Sequence, residues 1–202
     1  RVNSDTYKAQ NRGGVGIKGM STNEEDFVSN MISMTTHDYI MFFTNKGKVY
    51  RMKGYEVPLY SRQSKGLPII NLLPLDSEEE VKAILTVSVE SNFNNIVLCT
   101  QKGLIKKTDL SEFENIRANG KIAITLKDGD ELASVSLIKD EDIILLTNGG
   151  MGIRFNSMEI AATSRATSGV KGITLKSDEY VVAALTLRHP EDQIAIFSEK
   201  GL

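Results

Sequence analysis

The chain has 202 residues, of which 41% are hydrophobic and 25% charged, and this composition is typical of a soluble globular protein with one or two domains. No apolar run approaches the roughly 20 residues of a membrane helix and none resembles a signal peptide, so we expect no membrane-spanning helix in this chain. The formal net charge of -2, taken alone, argues against a nucleic-acid binder, so such a role has to rest on where the charges lie. The single cysteine, Cys99, cannot form an internal disulfide, which favours a reducing, cytosolic setting.

A glycine-anchored segment opens the chain and returns three times at intervals of about 50 residues, the period of a repeat architecture. Its first copy is Gln10-Asn11-Arg12-Gly13-Gly14-Val15-Gly16, and its last is Ser168-Gly169-Val170-Lys171. Because the chain starts at Arg1 rather than Met, we expect a fragment of a longer protein. The anchoring glycines, each with an arginine shortly before it, are Gly14 with Arg12, Gly66 with Arg62, Gly120 with Arg117, and Gly169 with Arg165.

A second signature, out of phase with the first, predicts four β-hairpins. Each copy is an apolar run, a short turn with Asn or Gly, and a run that ends in basic residues, as in Phe43-Thr44-Asn45-Lys46-Gly47-Lys48-Val49-Tyr50-Arg51. A turn glycine that accepts positive φ joins two antiparallel strands in this way. The other copies begin at Cys99, Leu146 and Phe197, and the last is cut just past its turn.

Two further apolar stretches lie between the signatures in each unit, and we interpret them as strands. They are Ile69 to Leu75 and Val81 to Val89 in one unit, and Ile122 to Leu126 and Leu132 to Ile138 in the next. We expect no long helix, because no apolar stripe of helical period has a useful length. Four strands in about 50 residues are typical of a propeller blade. The sequence therefore predicts an all-β, propeller-like partial ring of about four blades in a single domain, with approximate repeats 1–53, 54–107, 108–155 and 156–202.

The charges sort by their position within the repeat. Acidic clusters such as Glu78-Glu79-Glu80 and Asp140-Glu141-Asp142 follow the glycine-anchored strand or precede the hairpin, whereas basic residues gather in the hairpin and the loop after it. Blades share one orientation, so equivalent positions form rings, and we expect one basic rim and one acidic rim. A basic rim would attract a phosphate backbone without reading bases. The alternative is that a soluble repeat protein merely scatters Lys and Glu over its loops.

Other motifs in the chain indicate no further chemistry. Gly14 to Gly19 has the G-x-G-x-x-G spacing, but neither a preceding apolar strand nor a following helix is predicted, which argues against nucleotide binding. His37 and His189 stand in turn-like contexts without nearby residues at ligand spacing. No Ser, Cys or Lys lies in a nucleophile motif. We therefore predict no catalytic residue and no metal site in this chain.

The box from Gln10 to Gly16 resembles a signature of the C-terminal domain of the DNA gyrase A subunit. This signature is a pattern of Gln, basic residues, Gly-Gly, a basic residue and Gly. The segments from Phe42 to Tyr50, Gly54 to Pro58 and Ser61 to Gly66 also resemble that family. The resemblance covers the whole chain, and the box is its most specific part.

The resemblance implies a six-bladed β-pinwheel, of which this chain would supply about four blades. In the family this disc binds double-stranded DNA without sequence specificity and wraps it around a basic rim, which presents a DNA segment to the cleavage core of a bacterial type IIA topoisomerase for ATP-dependent negative supercoiling. The implied partners are DNA, the gyrase B protein, and the rest of the gyrase A protein in an A2B2 holoenzyme, in the cytoplasm at the nucleoid and not at a membrane. No cofactor is expected on this non-catalytic chain, because ATP and Mg belong to other parts of the holoenzyme.

The rim hypothesis assigns DNA contacts to the box and to the basic residues of the repeats. In the box, Arg12 and the backbone amides of Gly13 and Gly14 would clamp a phosphate, or alternatively the glycines only allow a tight crossing between blades. Asn11 and Val15 stand where the family pattern is usually basic, which leaves Arg12 as the only charge of the box. The predicted DNA-binding residues are Gln10, Arg12, Gly13, Gly14, Lys18, Lys46, Lys48, Arg51, Lys53, Arg62, Lys65, Lys102, Lys106, Lys107, Arg117, Lys121, Arg154, Arg165 and Lys171.

Other interpretations stay open at this stage. The closely similar A subunit of topoisomerase IV has a related C-terminal domain with a degenerate or absent box and decatenates rather than supercoils. The Gln-x-Arg-Gly-Gly-x-Gly frame of this chain favours gyrase. A protein-interaction propeller without a DNA role would bind its partner centrally or on one face. An enzyme is the third and weakest alternative.

Overall fold

A computed structural model describes residues 1–7, 12, 14, 16, 18–189 and 191–196. In this range the regular secondary structure consists of β-strands and short 3-10 helices. The strands are β1 (Tyr39–Thr44), β2 (Lys48–Lys53), β3 (Val81–Val87), β4 (Asn95–Thr100), β5 (Leu104–Asp109), β6 (Lys121–Ile122), β7 (Leu132–Ile138), β8 (Asp142–Thr147), β9 (Gly152–Asn156), β10 (Val170–Lys171) and β11 (Val181–Leu187). The 3-10 helices span Ser4–Thr6, Gly54–Glu56, Ile69–Asn71, Leu110–Phe113 and Ser157–Glu159.

Three of the predicted hairpins are confirmed, as β1–β2, β4–β5 and β8–β9. Their turns contain Gly47, Gly103 and Gly150 with φ of 73°, 79° and 77°, a left-handed conformation that favours glycine. The fourth predicted hairpin, from Phe197 to Leu202, lies outside the described residues.

The hairpins β1–β2 and β4–β5 each form the middle of a four-stranded sheet that strands from two later repeats complete, whereas β8–β9 is joined by β11 alone among the described residues. The sheet orders are β3-β1-β2-β6, β10-β5-β4-β7 and β11-β8-β9, which we name blades 1, 2 and 3. In blade 1, β6 pairs antiparallel with β2 through Lys121 opposite Val49. In blade 2, β10 pairs in the same way with β5 through Val170 opposite Ile105. The two-residue strands after Gly120 and Gly169 therefore skip the hairpin directly before them in the chain and join the blade of the hairpin before that one, so a blade is not one contiguous repeat.

The blades pack face to face around the strands β3, β7 and β11. Strand β7 contacts both β3 and β11, so these three strands lie innermost, and β6 and β10 lie on the outer edge of their blades. Alternate residues of β4 face opposite neighbours: Ile96 packs between blades 1 and 2, whereas Val97 packs between blades 2 and 3. Phe43 of β1 meets Phe113 edge-to-face with ring centroids 6.3 Å apart. A central strand buried on both faces explains the continuous apolar runs in the sequence. This all-β partial ring confirms the predicted fold class.

The other predicted strands are confirmed in part. The strand over Leu132 to Ile138 is confirmed, and the one over Val81 to Val89 ends at Val87. Only Ile122 of the stretch to Leu126 is paired, because the amides of Ala123 and Ile124 bond the carbonyl of Gly47 as the chain turns over the hairpin. The prediction of a strand over Ile69 to Leu75 is wrong: that segment starts with a 3-10 helix, and it belongs to none of the three described sheets.

Candidate nucleic-acid interface

Four predicted cations lie on or beside the outer strands, and we name them the outer-edge set: Arg117 and Lys121 at β6, and Arg165 and Lys171 at β10. Arg117 and Lys171 are exposed and Lys121 is half-buried. Within the described chain, the side chains of these three form no hydrogen bond or ion pair. They are therefore available for an anionic ligand at the outer strands of two successive blades.

The fourth member, Arg165, is held between the two outer strands. Its Nη1 donates to the carbonyl of Ile122 at 3.1 Å, and its Nε lies 3.6 Å from a carboxylate oxygen of Glu112. Its side chain keeps 22% of its exposure. Arg165 thus presents its charge at the boundary between blades 1 and 2.

The lysines at the hairpin tips lie against the acidic loops that precede β3 and β7. Lys46 donates to the carbonyl of Ser77, and Lys48 forms an ion pair with Asp76. Lys102 donates to the carbonyl of Asp128 at 2.7 Å. Basic and acidic rings were expected on separate rims, but at the tips they interleave, because the turn and the acidic loop end at the same face of the blade.

The cations at the opposite ends of the hairpins are also engaged. Arg51 and Lys53 both lie 3.4 Å from the centre of the Tyr39 ring, a cation–π geometry. Burial lowers the pKa of Arg51, and its guanidinium bonds the carbonyl of Glu114. Two further cations complete this group: Lys107 donates to the carbonyl of Ser157 at 2.8 Å, and Arg154 pairs with Asp142 at 2.7 Å.

Lys106 lies in the interior, with 1% of its surface exposed. Its Nζ donates to the carbonyl of Ala123 at 2.7 Å and to that of Arg165. Burial and then the charge of Arg165 lower the pKa of Lys106 to about 8, against a smaller opposite effect of Glu112. This position does not fit the predicted DNA contact, since a buried ammonium cannot reach a phosphate, and we leave Lys106 out of the interface.

The residues around the box are described only in part. Arg12, Gly14 and Lys18 are exposed, whereas the predicted contacts Gln10 and Gly13 lie outside the described residues. Two other predicted cations support this segment: Arg62 Nη1 lies 3.5 Å from the carbonyl of Lys18, and Lys65 Nζ donates to Asn23 at 2.7 Å.

Two of the anchoring glycines, Gly120 and Gly169, lie where the chain crosses from one blade to the next. At the first crossing, a Cβ on Gly120 would stand 2.8 Å from the ring of Tyr50. At the second crossing, a Cβ on Gly169 would stand 2.7 Å from the carbonyl oxygen of Ile105. Both glycines have positive φ, 74° and 85°. These two repeats therefore need glycine for a tight crossing, which is the structural alternative considered for the box.

A buried polar cluster under the first crossing was not predicted. Glu79 accepts hydrogen bonds from the hydroxyls of Thr44, at 2.7 Å, and Tyr50, at 3.0 Å, and from the amide of Asp76 at 2.9 Å. Burial raises the pKa of Glu79, but these bonds and the nearby Lys48 outweigh it and leave the pKa below its usual value. A usable signal was the threonine that precedes each of the three described hairpin turns, since the hydroxyls of Thr44, Thr100 and Thr147 each accept a turn amide.

The described residues contain no cluster of three or more His, Cys, Asp or Glu side chains that could hold a metal ion. In the same part of the chain, no helix has the length and apolar character needed to cross a membrane.

The strand-exchanged blades place the protein in the class of β-propeller-like domains. Within that class, the chain belongs to the family described as "DNA gyrase C-terminal domain, beta-propeller", whose profile matches residues 1–33, 38–88, 94–139 and 141–188. This confirms the family predicted from the sequence.

Individual relatives agree with that assignment. The chain is 44% identical over its whole length to the gyrase A protein of Staphylococcus aureus (strain NCTC 8325 / PS 47), but spans only 23% of that protein. A solved DNA gyrase A C-terminal domain matches 92% of the chain and 60% of its own length, with 30% identity and a TM-score of 0.71. The C-terminal domain of a DNA topoisomerase IV matches 85% of the chain and 54% of its own length, with 27% identity and a TM-score of 0.74.

Proposed function

We propose that this chain binds double-stranded DNA without sequence specificity along the outer edge of its blades. The observation that carries the proposal is the outer-edge set, which places cations on or beside the outer strands of both blade 1 and blade 2. Arginine and lysine at such positions contact phosphates and release counterions, whatever the base sequence. Family membership supports the same conclusion.

The predicted cations are not expected to contribute equally to DNA binding. Lys46, Lys48 and Lys102 already interact with acidic loops, and Arg154 already pairs with Asp142, so their contribution to DNA binding is expected to be smaller. Arg12, Lys18 and the box glycines would continue the path beyond blade 1. Bending a duplex costs a few kcal/mol per 20–30 base pairs, so contacts have to be spread over several blades.

In the longer protein, we propose that the domain wraps DNA and presents a segment to the cleavage core of a type IIA topoisomerase. Gyrase is favoured over topoisomerase IV by the 44% identity to a gyrase A protein over the whole chain. The whole protein would act in the bacterial cytoplasm as a gyrase A protein together with a gyrase B protein, with ATP and Mg bound elsewhere. This chain itself would carry no catalytic residue.

The test is binding to a labelled duplex of mixed sequence over a salt series. Lys121→Gln with Lys171→Gln should weaken binding for all sequences alike and flatten the log-log salt slope by about one unit per lost contact. Lys82→Gln with Lys139→Gln is the matched control, since it removes the same charge from positions off the outer edge. Equal losses in both pairs would reject a defined path on the outer edge.

A second pair of variants separates the outer edge from the hairpin tips. Lys46→Gln with Lys102→Gln should reduce the affinity less than the outer-edge pair, because both ammonium groups already have partners in acidic loops. A tip pair that weakens binding more than the outer-edge pair would move the proposed path to the face of the blades.

A further inference from the structure

Lys106 is a cation buried between two outer strands that belong to different blades. Ala123, whose carbonyl lies 2.7 Å from Nζ, directly follows β6 on blade 1. Arg165, whose carbonyl accepts the second bond, precedes β10 on blade 2. One side chain thus bonds the backbone of two successive outer segments. The charged groups that face it are the guanidinium of Arg165 and the carboxylate of Glu112.

The two segments meet through only a few other bonds in the described chain. The amide of Thr125 donates to the carbonyl of Thr167 at 3.1 Å. The side chain of Arg165 donates to the carbonyl of Ile122 at 3.1 Å. Both bonds lie beside the carbonyls that Lys106 holds, so the ammonium is at the centre of this boundary.

The same hairpin position is used differently in the other blades. Tyr50 occupies it in blade 1, where the hydroxyl bonds Glu79 rather than two outer segments. Ile153 occupies it in blade 3 and is 39% exposed. A buried ammonium needs directed acceptors, whereas an apolar side chain of similar volume would fill the space without constraining either segment. Lysine at this position therefore specifies geometry rather than merely filling a cavity.

We propose that Lys106 is a positioning residue, which ties the segment after β6 to the segment before β10 and so sets where Arg165 stands relative to Lys121 on the outer edge. The expected effect on DNA binding rests on the proposed function, whereas the tie, meaning the pair of hydrogen bonds from Lys106 to the two segments, does not. The neutral amine keeps two N–H donors for the two carbonyls, so the tie does not require the protonated form.

The experiment compares Lys106→Met with Lys82→Met in the full-length protein. Both variants remove one charge, but Lys82 lies on the inner strand β3. Hydrogen exchange of the Thr125 amide reports the contact between the two segments. We expect exchange about tenfold faster in Lys106→Met and unchanged in Lys82→Met. Lys106→Gln keeps a side-chain N–H donor and should show a smaller effect. It replaces Lys106→Met in the experiment if Lys106→Met does not fold.

DNA affinity gives the second measurement. Lys106→Met should weaken binding about threefold, and the loss should vanish in an Arg165→Ala background, because Arg165→Ala removes the group that Lys106 positions. Unchanged Thr125 exchange, or faster exchange with unchanged DNA affinity, would overturn the proposal. If the wild type binds no DNA at low salt while Lys106→Met still accelerates exchange, the proposed DNA function is rejected and the tie is supported.

Discussion

The two crossings have the same backbone geometry but different chemistry beneath them. At the first crossing, Gly120 lies over the ring of Tyr50, whose hydroxyl bonds the carboxylate of Glu79. At the second crossing, Gly169 lies over Ile105 and Lys106, whose ammonium bonds two backbone carbonyls. The glycine is therefore the repeated requirement, whereas the residue below it is free to vary if its polar group finds a partner.

The largest expected effect comes from breaking the second crossing. Gly169→Ala would force a Cβ to 2.7 Å from a backbone oxygen at φ 85°, and we expect a loss of about 3 kcal/mol in the free energy of unfolding. Gly66→Ala is the matched control, with φ 83° but no atom nearer than 3.8 Å, and should cost about 1 kcal/mol. Chemical denaturation measures both, and equal losses would show that the crossing is not tight.

The next effect tests the polar cluster under the first crossing. Glu79→Gln should destabilise the fold by about 2 kcal/mol at neutral pH, since it weakens the hydrogen bonds accepted from Thr44, Tyr50 and the amide of Asp76. Because the folded pKa of Glu79 lies below the usual 4.5, its contribution is present above that pH and is lost as the pH falls below it. Unfolding measured from pH 7 to pH 3 should bring wild type and variant together, and a constant gap would contradict this assignment.

The buried amine under the second crossing should have the opposite pH dependence. The folded pKa of Lys106 is about 8 against the ordinary 10.5, so between these values the unfolded chain binds more protons and stability rises with pH. Relative to Lys106→Met, the wild type should gain at most about 1.4 kcal/mol per pH unit in this window. Denaturation of both proteins from pH 7 to pH 10.5 measures the gain, and parallel pH profiles would place the ammonium in water.

The smallest effect is expected in blade 3, where β9 has no outer strand paired to it among the described residues. Arg154 pairs with Asp142 at 2.7 Å, but its side chain is 59% exposed. Arg154→Ala should cost no more than about 0.5 kcal/mol, as for other exposed ion pairs. A loss above about 1 kcal/mol in thermal or chemical unfolding would indicate a structural role for this cation.

The sequence was a good guide to the hairpins and a poor guide to the connections between blades. The stretch from Leu132 to Ile138 was predicted with its observed bounds, because seven residues of a half-buried strand leave a clear pattern. The strands β6 and β10 have two residues each, too short for any periodicity, so their exchange between blades could not be predicted.

The cations of the outer edge could be predicted from the sequence, whereas the burial of Lys106 could not. Arg117, Lys121, Arg165 and Lys171 were found because they recur beside the anchoring glycines. Lys106 and Lys107 look like one basic surface pair, although neighbours on a strand point to opposite faces and Lys106 is the buried one. Its partners are the backbone carbonyls of Ala123 and Arg165, which tertiary packing brings to it. Because every residue has a backbone carbonyl, the sequence could not identify these two.

Because the outer strand of a blade comes from a later repeat, it is synthesised on the ribosome well after the strand with which it pairs. The edge of β2 is complete at Lys53, but the strand that covers it, β6, begins only at Lys121. At about 5–20 residues per second, that edge waits roughly 3 to 14 s for its partner. Blades 1 and 2 therefore each expose an unpaired strand until the following repeat has been translated, and this edge is covered only after the next hairpin has been made.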